Sequence, residues 1–397
     1  MAFRLVEVQD GPTERLFLDC PRRLYAHDPQ WVCPLDLEVR AVFDRRKNPL
    51  FARGEASRWV LLDGAGQPAG RIAAFIDARR AAQFEQPTGG IGFFESVIDP
   101  VAAGQLFDVA RDWLAARGMQ AMDGPINFGE NDRFWGLLVE GFTQPVYGMP
   151  YNPPAYRALF EGYGFETYFR QQARVLDLTQ PPPERFRKIG QWVHNKEGVH
   201  FECLRRAQIE RFGRDFLAIY NDAWQHHPQF VPMTEAQLAA MLGQLRQVLV
   251  EELCIFAYVR GVPAGFLIAL PDLNQIFKPY GGRLGVWGTL AFLWRRRGQF
   301  AWYRRHGVLT RARVIILGVR PAFQRYGLEA GMTILTYGDV QAMGFREVQL
   351  SWVGDFNPAM ESTLEATGAA MGPRHITYRK LFTEGGSVQA APAIRRP

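Results

Sequence analysis

Cysteine is scarce in this chain, and its positions form no pattern. Cys20, Cys33, Cys203 and Cys254 are scattered, without the close pairs that hold zinc or the framework of a disulfide-stapled domain. This predicts no metal and a reducing compartment. The apolar run at 284–294 stops at eleven residues, well short of the roughly 20 needed to cross a bilayer. The chain opens on strand-like residues 3–8 rather than an apolar leader, so a cytoplasmic protein is expected. The most local absence is acidic. Between residues 273 and 328 there is no Asp or Glu, while Lys278 and ten arginines stand there. That window carries +11 and the rest of the chain −5 of the net +6. Such a segment suits an anionic partner: phosphates, nucleic acid or lipid headgroups.

What is present is a foldable composition, 47% apolar and 22% charged, which argues against disorder. A length of 397 residues suits two cores better than one. Two segments about two hundred residues apart share a pattern. Asn152-Pro153 leads through an apolar helix to Gly164, and Asn357-Pro358 does the same to Gly368. Each precedes a final strand, expected at 167–178 and at 375–382. The repeat predicts a duplicated unit.

Around these anchors the chain reads as mixed α/β. The first half alternates strands at 57–63, 69–77, 90–98 and 119–122 with helices at 12–27 and 100–117. The Pro-rich stretch 180–185 marks a boundary. The second half has strands at 199–204, 254–259, 264–270, 312–319 and 347–353, with helices at 208–224, 234–248 and 322–343. The expected units are 1–179, 180–385 with an insertion at 273–313, and a flexible tail at 386–397.

The chemistry is expected where the strand at 312–319 meets the next helix. A helix start there offers free N–H groups and partial positive charge, a ready seat for a diphosphate, with Arg320 and Arg325 adding charge. The run Leu317-x-Val319-x-Pro321-x-x-Gln324-x-x-Gly327 resembles the coenzyme A loop of the GNAT acyltransferases, and the order of elements in each half is similar to theirs. The resemblance implies two tandem GNAT-like domains, the first degenerate because 98–106 has no such glycine loop. It also implies acyl-CoA as co-substrate. Gln324, Arg325, Tyr326, Gly327 and Leu328 would hold the diphosphate, Leu317 and Val319 the pantetheine arm, and Asn357 would approach the thiol end. Two residues depart from the pattern. Glu329 stands where Gly or Ala is usual, and Leu364 where many members carry a Tyr that reprotonates the thiolate.

Transfer to an amine needs a base or a water relay. His227, after the first helix of the second half, and Asp355, before Asn357, are the candidates, each with a capping role as its alternative. Glu95 and Glu361 rank below them. The insertion interleaves Trp287, Trp294 and Trp302 with arginines, as in a segment lying in a membrane interface. It would border the acceptor side at the inner face of the membrane. A solvated helical hairpin is the other reading. No nucleic-acid motif accompanies it. The layout is similar to acyltransferases that join a fatty acyl group to a long-chain amino alcohol, forming ceramide in bacteria. Three alternatives stay open: a soluble N-acetyltransferase of a small amine or peptide, a Fem-type aminoacyl-tRNA-dependent transferase, and a non-catalytic CoA- or lipid-binding module.

Overall fold

The computed structural model describes residues 3–225, 232–383, 386 and 388–392. The first half runs β1 (Arg4–Glu7), α1 (Gly11–Leu24), α2 (Asp36–Phe43), β2 (Gly54–Leu62), β3 (Pro68–Asp77), α3 (Ala78–Ala81), β4 (Thr88–Ser96), α4 (Pro100–Ala115), β5 (Ala121–Gly124), β6 (Leu137–Glu140), α5 (Tyr156–Gly162) and β7 (Glu166–Asp177). The second runs α6 (Glu184–His194), β8 (Val199–Cys203), α7 (Ile209–Trp224), α8 (Glu235–Leu245), β9 (Cys254–Val259), β10 (Val262–Pro271), α9 (Asn274–Phe277), α10 (Gly285–Arg295), α11 (Arg297–Arg305), β11 (Arg311–Val319), α12 (Leu328–Leu335), β12 (Glu347–Gly354), α13 (Pro358–Ala366) and β13 (Ala370–Leu381).

Local chemistry sets the boundaries. Asp10 and Thr13 form a reciprocal capping box at α1, and Thr234 with Gln237 does so at α8, satisfying donors that a helix start leaves free. Asp99 caps α4 ahead of Pro100 at its first position. The hairpin from β2 to β3 closes where the Asp63 carboxylate accepts from Ala65 and Gln67 N–H, each at 2.9 Å.

All thirteen strands join one sheet in the order β1-β2-β3-β4-β5-β13-β7-β12-β11-β10-β9-β8, with β6 paired to β13. The last strand of each half is thus seated beside the other half. β13 lies against β5, while β7 lies against β12. The cores follow the exchange. Leu176 and Leu178 from the end of the first half pack with Val314, Val348 and Met332, and Ile376 and Tyr378 pack with Leu106, Phe107 and Phe160. Beyond β13, Ala391 N–H donates to the Tyr168 carbonyl at 3.1 Å.

Several local expectations are corrected. The 180–185 boundary opens directly into α6, whose Gly190 lets it pack closely on Ala330 and Ile334 of α12. The helix expected at 322–343 is divided into a 3-10 turn at Pro321–Tyr326, α12, and a π turn at Thr336–Val340. The two Asn-Pro segments do different work. Asn357 caps α13, accepting from Met360 N–H at 3.3 Å, whereas Asn152 pairs with both backbone groups of Leu138 on β6.

Where β7 and β13 meet, His375 is buried with its Nε2 facing the Pro150 carbonyl at 3.5 Å. Burial, with Arg313 nearby, pushes its pKa down to about 4. The folded pKa lies below that of the free imidazole, so the stability it contributes is complete above pH 6.5 and is lost as pH falls toward 4. We expect urea stability to drop by about 2 kcal/mol more between pH 7 and pH 5 in the wild type than in His375→Gln. Equal losses in the two proteins would contradict this.

Candidate active site

The second-half sheet opens at one place. β11 and β12 pair in parallel only from Arg311 to Arg313 against Glu347 to Gln349, and then separate. At the base of the gap, the Ser351 hydroxyl sits close to the carbonyls of Val314 (2.5 Å) and Ile315 (3.0 Å). A register shift between β10 and β11 makes Ile315 an extra residue, bulging the strand at that base. Beyond it, Ile316 to Val319 keep β10 on one side and have no strand partner on the other among the described residues. Leu317 and Val319 therefore line a wedge with backbone groups turned toward it. This geometry can hold an extended amide-bearing chain as an added strand.

At the wide end of the wedge, β11 turns at Pro321 into α12. Gly327 has φ +74°, and a Cβ there would lie 2.9 Å from Val193 Cγ2, so both conformation and space require glycine. Gln324 and Arg325 are exposed, Tyr326 is half-buried and Leu328 is buried. The first-turn N–H groups of α12 have no carbonyl within the helix to bond. Arg320, expected to add charge here, is instead held by Asp222 (2.5 Å) and the Pro263 carbonyl (3.2 Å). The loop's exposed guanidinium is that of Arg325.

On the opposite face, α7 carries Tyr220 and Trp224, stacked at 5.0 Å. Trp224 lies so close to Gly318 that a Cβ there would meet the ring at 2.5 Å. His227 falls outside the described residues. Asp355 follows β12 directly, exposed, 3.7 Å from Arg170, and Asn357 comes next as the cap of α13. Leu364 is buried in the core, so α13 offers no hydroxyl at that position. Of the weaker candidates, Glu361 pairs with Arg174 at 2.6 Å. Glu95 is buried in the first half, where it accepts from Tyr25 and burial pushes its pKa up to about 7.

Sequence reasoning missed Glu130. It is an exposed residue of the loop between β5 and β6, and its pKa is raised, first by partial loss of water around the carboxylate and then by Asp132. Tyr220 of α7 has its pKa raised by burial first and then by the charge of Glu130. The acidic residues of 127–133 within a glycine-bearing loop were the available signal.

The segment after β6, which the Phe134 N–H ties to the Glu130 loop by bonding the Gly148 carbonyl at 2.8 Å, is anchored by a buried ion pair. Asp272 accepts from Arg311 at 2.6 and 2.9 Å and from Tyr147 N–H at 2.8 Å, and Arg311 also donates to the Gln144 carbonyl at 3.2 Å. Arg313 is buried beside it and donates to the Tyr147 carbonyl at 3.2 Å.

The insertion is a helical pair whose charge divides in two. Arg311 and Arg313 serve the interior, Arg283 pairs with Asp19, and Arg304 donates to the Met343 carbonyl. Arg297 and Arg305 are exposed, and Arg295 and Arg296 half-exposed. On α10, Val286, Trp287, Leu290, Leu293 and Trp294 form one exposed apolar stripe, with Trp287 83% accessible. Leu37 on α2 is exposed as well, next to Asp36, whose N–H donates to the Gly282 carbonyl ahead of α10. The segment joins β11 at its start, the end opposite the Gln324–Gly327 turn. No helix among the described residues is long and apolar enough to cross a membrane, and none of their His, Cys, Asp and Glu side chains form a group able to hold a metal.

The Asp272–Arg311 pair yields a direct expectation. Asp272→Asn leaves Arg311 largely buried without its counter-charge, a loss of about 3–5 kcal/mol. Urea unfolding measures it; a loss below about 1 kcal/mol would show that the pair does not anchor the segment after β6.

No family model matches the chain. It is 30% identical over 374 residues to protein YghO of Escherichia coli (strain K12), covering 92% of each. It is 30% identical over 386 residues to a bacterial ceramide synthase of Caulobacter vibrioides (strain NA1000 / CB15N), covering 94% of this chain and 96% of that one. Among solved structures it superposes on a tandem GNAT protein from the clavulanic acid biosynthesis pathway, with a TM-score of 0.56, 12% identity, and coverage of 97% of this chain and 100% of that one. With this wedge, this tandem GNAT fold and these relatives, the chain belongs to the bacterial ceramide synthase family and is an acyltransferase.

Proposed function

We propose that the protein transfers a fatty acyl group from acyl-CoA to the amine of a long-chain lipid at an anionic membrane surface. The observation that carries this reading is the exposed apolar stripe of α10, bordered by Arg295, Arg296, Arg297 and Arg305 and set at the start of β11. The wedge opens near Ile315, four residues from Arg311, or roughly 13 Å along a strand. A thioester held at its base would be within reach of a lipid amine whose tail stays in the bilayer. The name of the Caulobacter relative supports the same acceptor class.

In this reading Gln324, Arg325, Tyr326, Gly327 and Leu328 bind the diphosphate, and Leu317 and Val319 bond the pantetheine arm. Asn357 stands on the thiol side. The base is drawn from His227, Asp355 and, by its raised pKa and its influence on Tyr220 of α7, Glu130. Glu130 removes a proton only when ionised, so its raised pKa would move the acidic limb of the pH–rate profile upward. Glu130→Gln should abolish that limb and lower kcat by about 10²-fold or more. An unchanged profile would return the role to His227 or Asp355.

Two measurements test the reading as a whole. Calorimetry with CoA should show binding that Arg325→Ala weakens severalfold without lowering Tm, whereas Arg320→Ala should mainly lower Tm. Vesicle flotation should show binding that rises with anionic lipid and falls with salt, since each basic residue near such a surface contributes about 1 kcal/mol. Trp287→Ala with Trp294→Ala should weaken it strongly while CoA affinity holds. A wild-type protein that ignores anionic vesicles at low salt would favour a soluble small amine as acceptor.

A further inference from the structure

The C-terminal end of α6 stands against the Gln324–Gly327 turn. Val193 lies where a Cβ on Gly327 would be 2.9 Å away, and Ile189 lies 3.6 Å from the same point. His194 Nε2 reaches the Gly331 carbonyl at 3.1 Å, so the helix end is tied to the first turns of α12. Beside these fixed residues Trp192 is 57% accessible. Lys196 lies over both its ring (4.7 Å) and that of Tyr326 (4.1 Å), and Tyr326 is part of the turn itself. Among the described residues no carboxylate forms an ion pair with Lys196.

An exposed indole and an ammonium without a carboxylate stand together beside the turn to which the diphosphate is assigned above. Indole faces stack on nucleobases with little dependence on base identity, and a lysine ammonium is a point-charge partner for phosphate. A seat continuous with the turn suits the group that follows a diphosphate in a nucleotide thioester. We propose that Trp192, Lys196 and Tyr326 form the seat for the adenosine end of acyl-CoA. Adenine stacks on Trp192, and Lys196, carried over Tyr326, meets the 3′-phosphate of the ribose. This rests on the acyl-CoA reading above and assigns residues outside the glycine loop, from the helix that links the two halves.

The test compares CoA with 3′-dephospho-CoA by calorimetry on the full chain. The wild type should bind CoA up to about fivefold more tightly than dephospho-CoA at low salt, as expected for one exposed ion pair. Lys196→Ala should erase that difference. Trp192→Ala should weaken both ligands about tenfold, whereas Trp192→Phe should stay within about twofold of wild type. Trp192 and Lys196 are at the surface, and circular dichroism with unchanged Tm checks that the variants fold. Wild-type protein that binds neither ligand would overturn the acyl-CoA reading itself. Wild-type binding with unchanged affinities in both alanine variants would overturn only the adenosine seat. If Lys196→Ala keeps the discrimination, the 3′-phosphate lies elsewhere.

Discussion

The exchange of final strands is the constraint on which the rest of the structure depends. β12, one wall of the wedge, has β11 as a partner only over three residue pairs. Its longer pairing is with β7, a strand of the first half, from Glu347 against Asp177 to Gly354 against Gln171. β12 can diverge from β11 without losing its backbone partners because β7 supplies them. The same exchange sends β13 into the first-half sheet, where Ile376 and Tyr378 complete a core of aromatic rings. Neither half closes its own sheet, so the site of the second half is built partly on the first.

The two halves show how one topology keeps or loses a cleft. In the first half β4 and β5 also pair in parallel over only three positions, Thr88 to Gly90 against Ala121 to Asp123. There the gap is filled. Ile126 N–H bonds the Ile91 carbonyl at 2.8 Å, and a Cβ on Gly92 would lie 1.9 Å from the Ile126 carbonyl oxygen. The glycines of β4 let the following loop close against the strand, and Phe128 packs on Phe75 at 5.3 Å. In the second half the Ser351 hydroxyl meets the Val314 and Ile315 carbonyls at the corresponding place, and beyond it no strand among the described residues pairs with that side of Ile316 to Val319. The first half instead contributes the segment after β6, held by Asp272 and Arg311 through Tyr147 and Gln144, and the Glu130 loop tied to it through Phe134 and Gly148.

Much of this was legible because it is local. Alternation gave most strands to within a few residues, and the Gln324-x-x-Gly327 run located a turn whose glycine is required by its φ and by Val193. What was not legible depends on partners distant in sequence. The pattern at 375–382 says strand, but nothing in it says that β5 lies alongside. Three prolines at 181–183 signalled a boundary and concealed α6, whose packing on α12 depends on Gly190. Asn152 and Asn357 sit in matching sequence contexts, yet only Asn357 caps a helix, since a strand absent from the repeat pattern, β6, takes the amide of Asn152. Arg320 looked like a phosphate ligand until Asp222, nearly a hundred residues earlier, was found to hold it.

The acid-free window carries the same lesson in its charge. Eleven positive side chains in succession suggest one electrostatic surface, but position along β11 divides them. Arg311 and Arg313 point into the protein, where Asp272 and the Tyr147 carbonyl hold them, because leaving a guanidinium without partners in the interior is costly. Arg283 is compensated by Asp19 and Asp36, acids contributed by the first half. Lys278 is likewise held, by the Pro29 carbonyl and Gln144. The absence of acids within the window is thus supplied from outside it wherever the chain folds back. Apart from Arg325 at the Gln324–Gly327 turn, what remains without an acid is confined to the end of α10 and to α11, next to the residues of α10 whose apolar side chains meet water. Burying the stripe in a lipid interface would remove that exposure, and the adjacent arginines would then face headgroups. Arg325 is the other exposed charge of the window, and it belongs to the Gln324–Gly327 turn at the far end of β11, so the two surfaces stand apart.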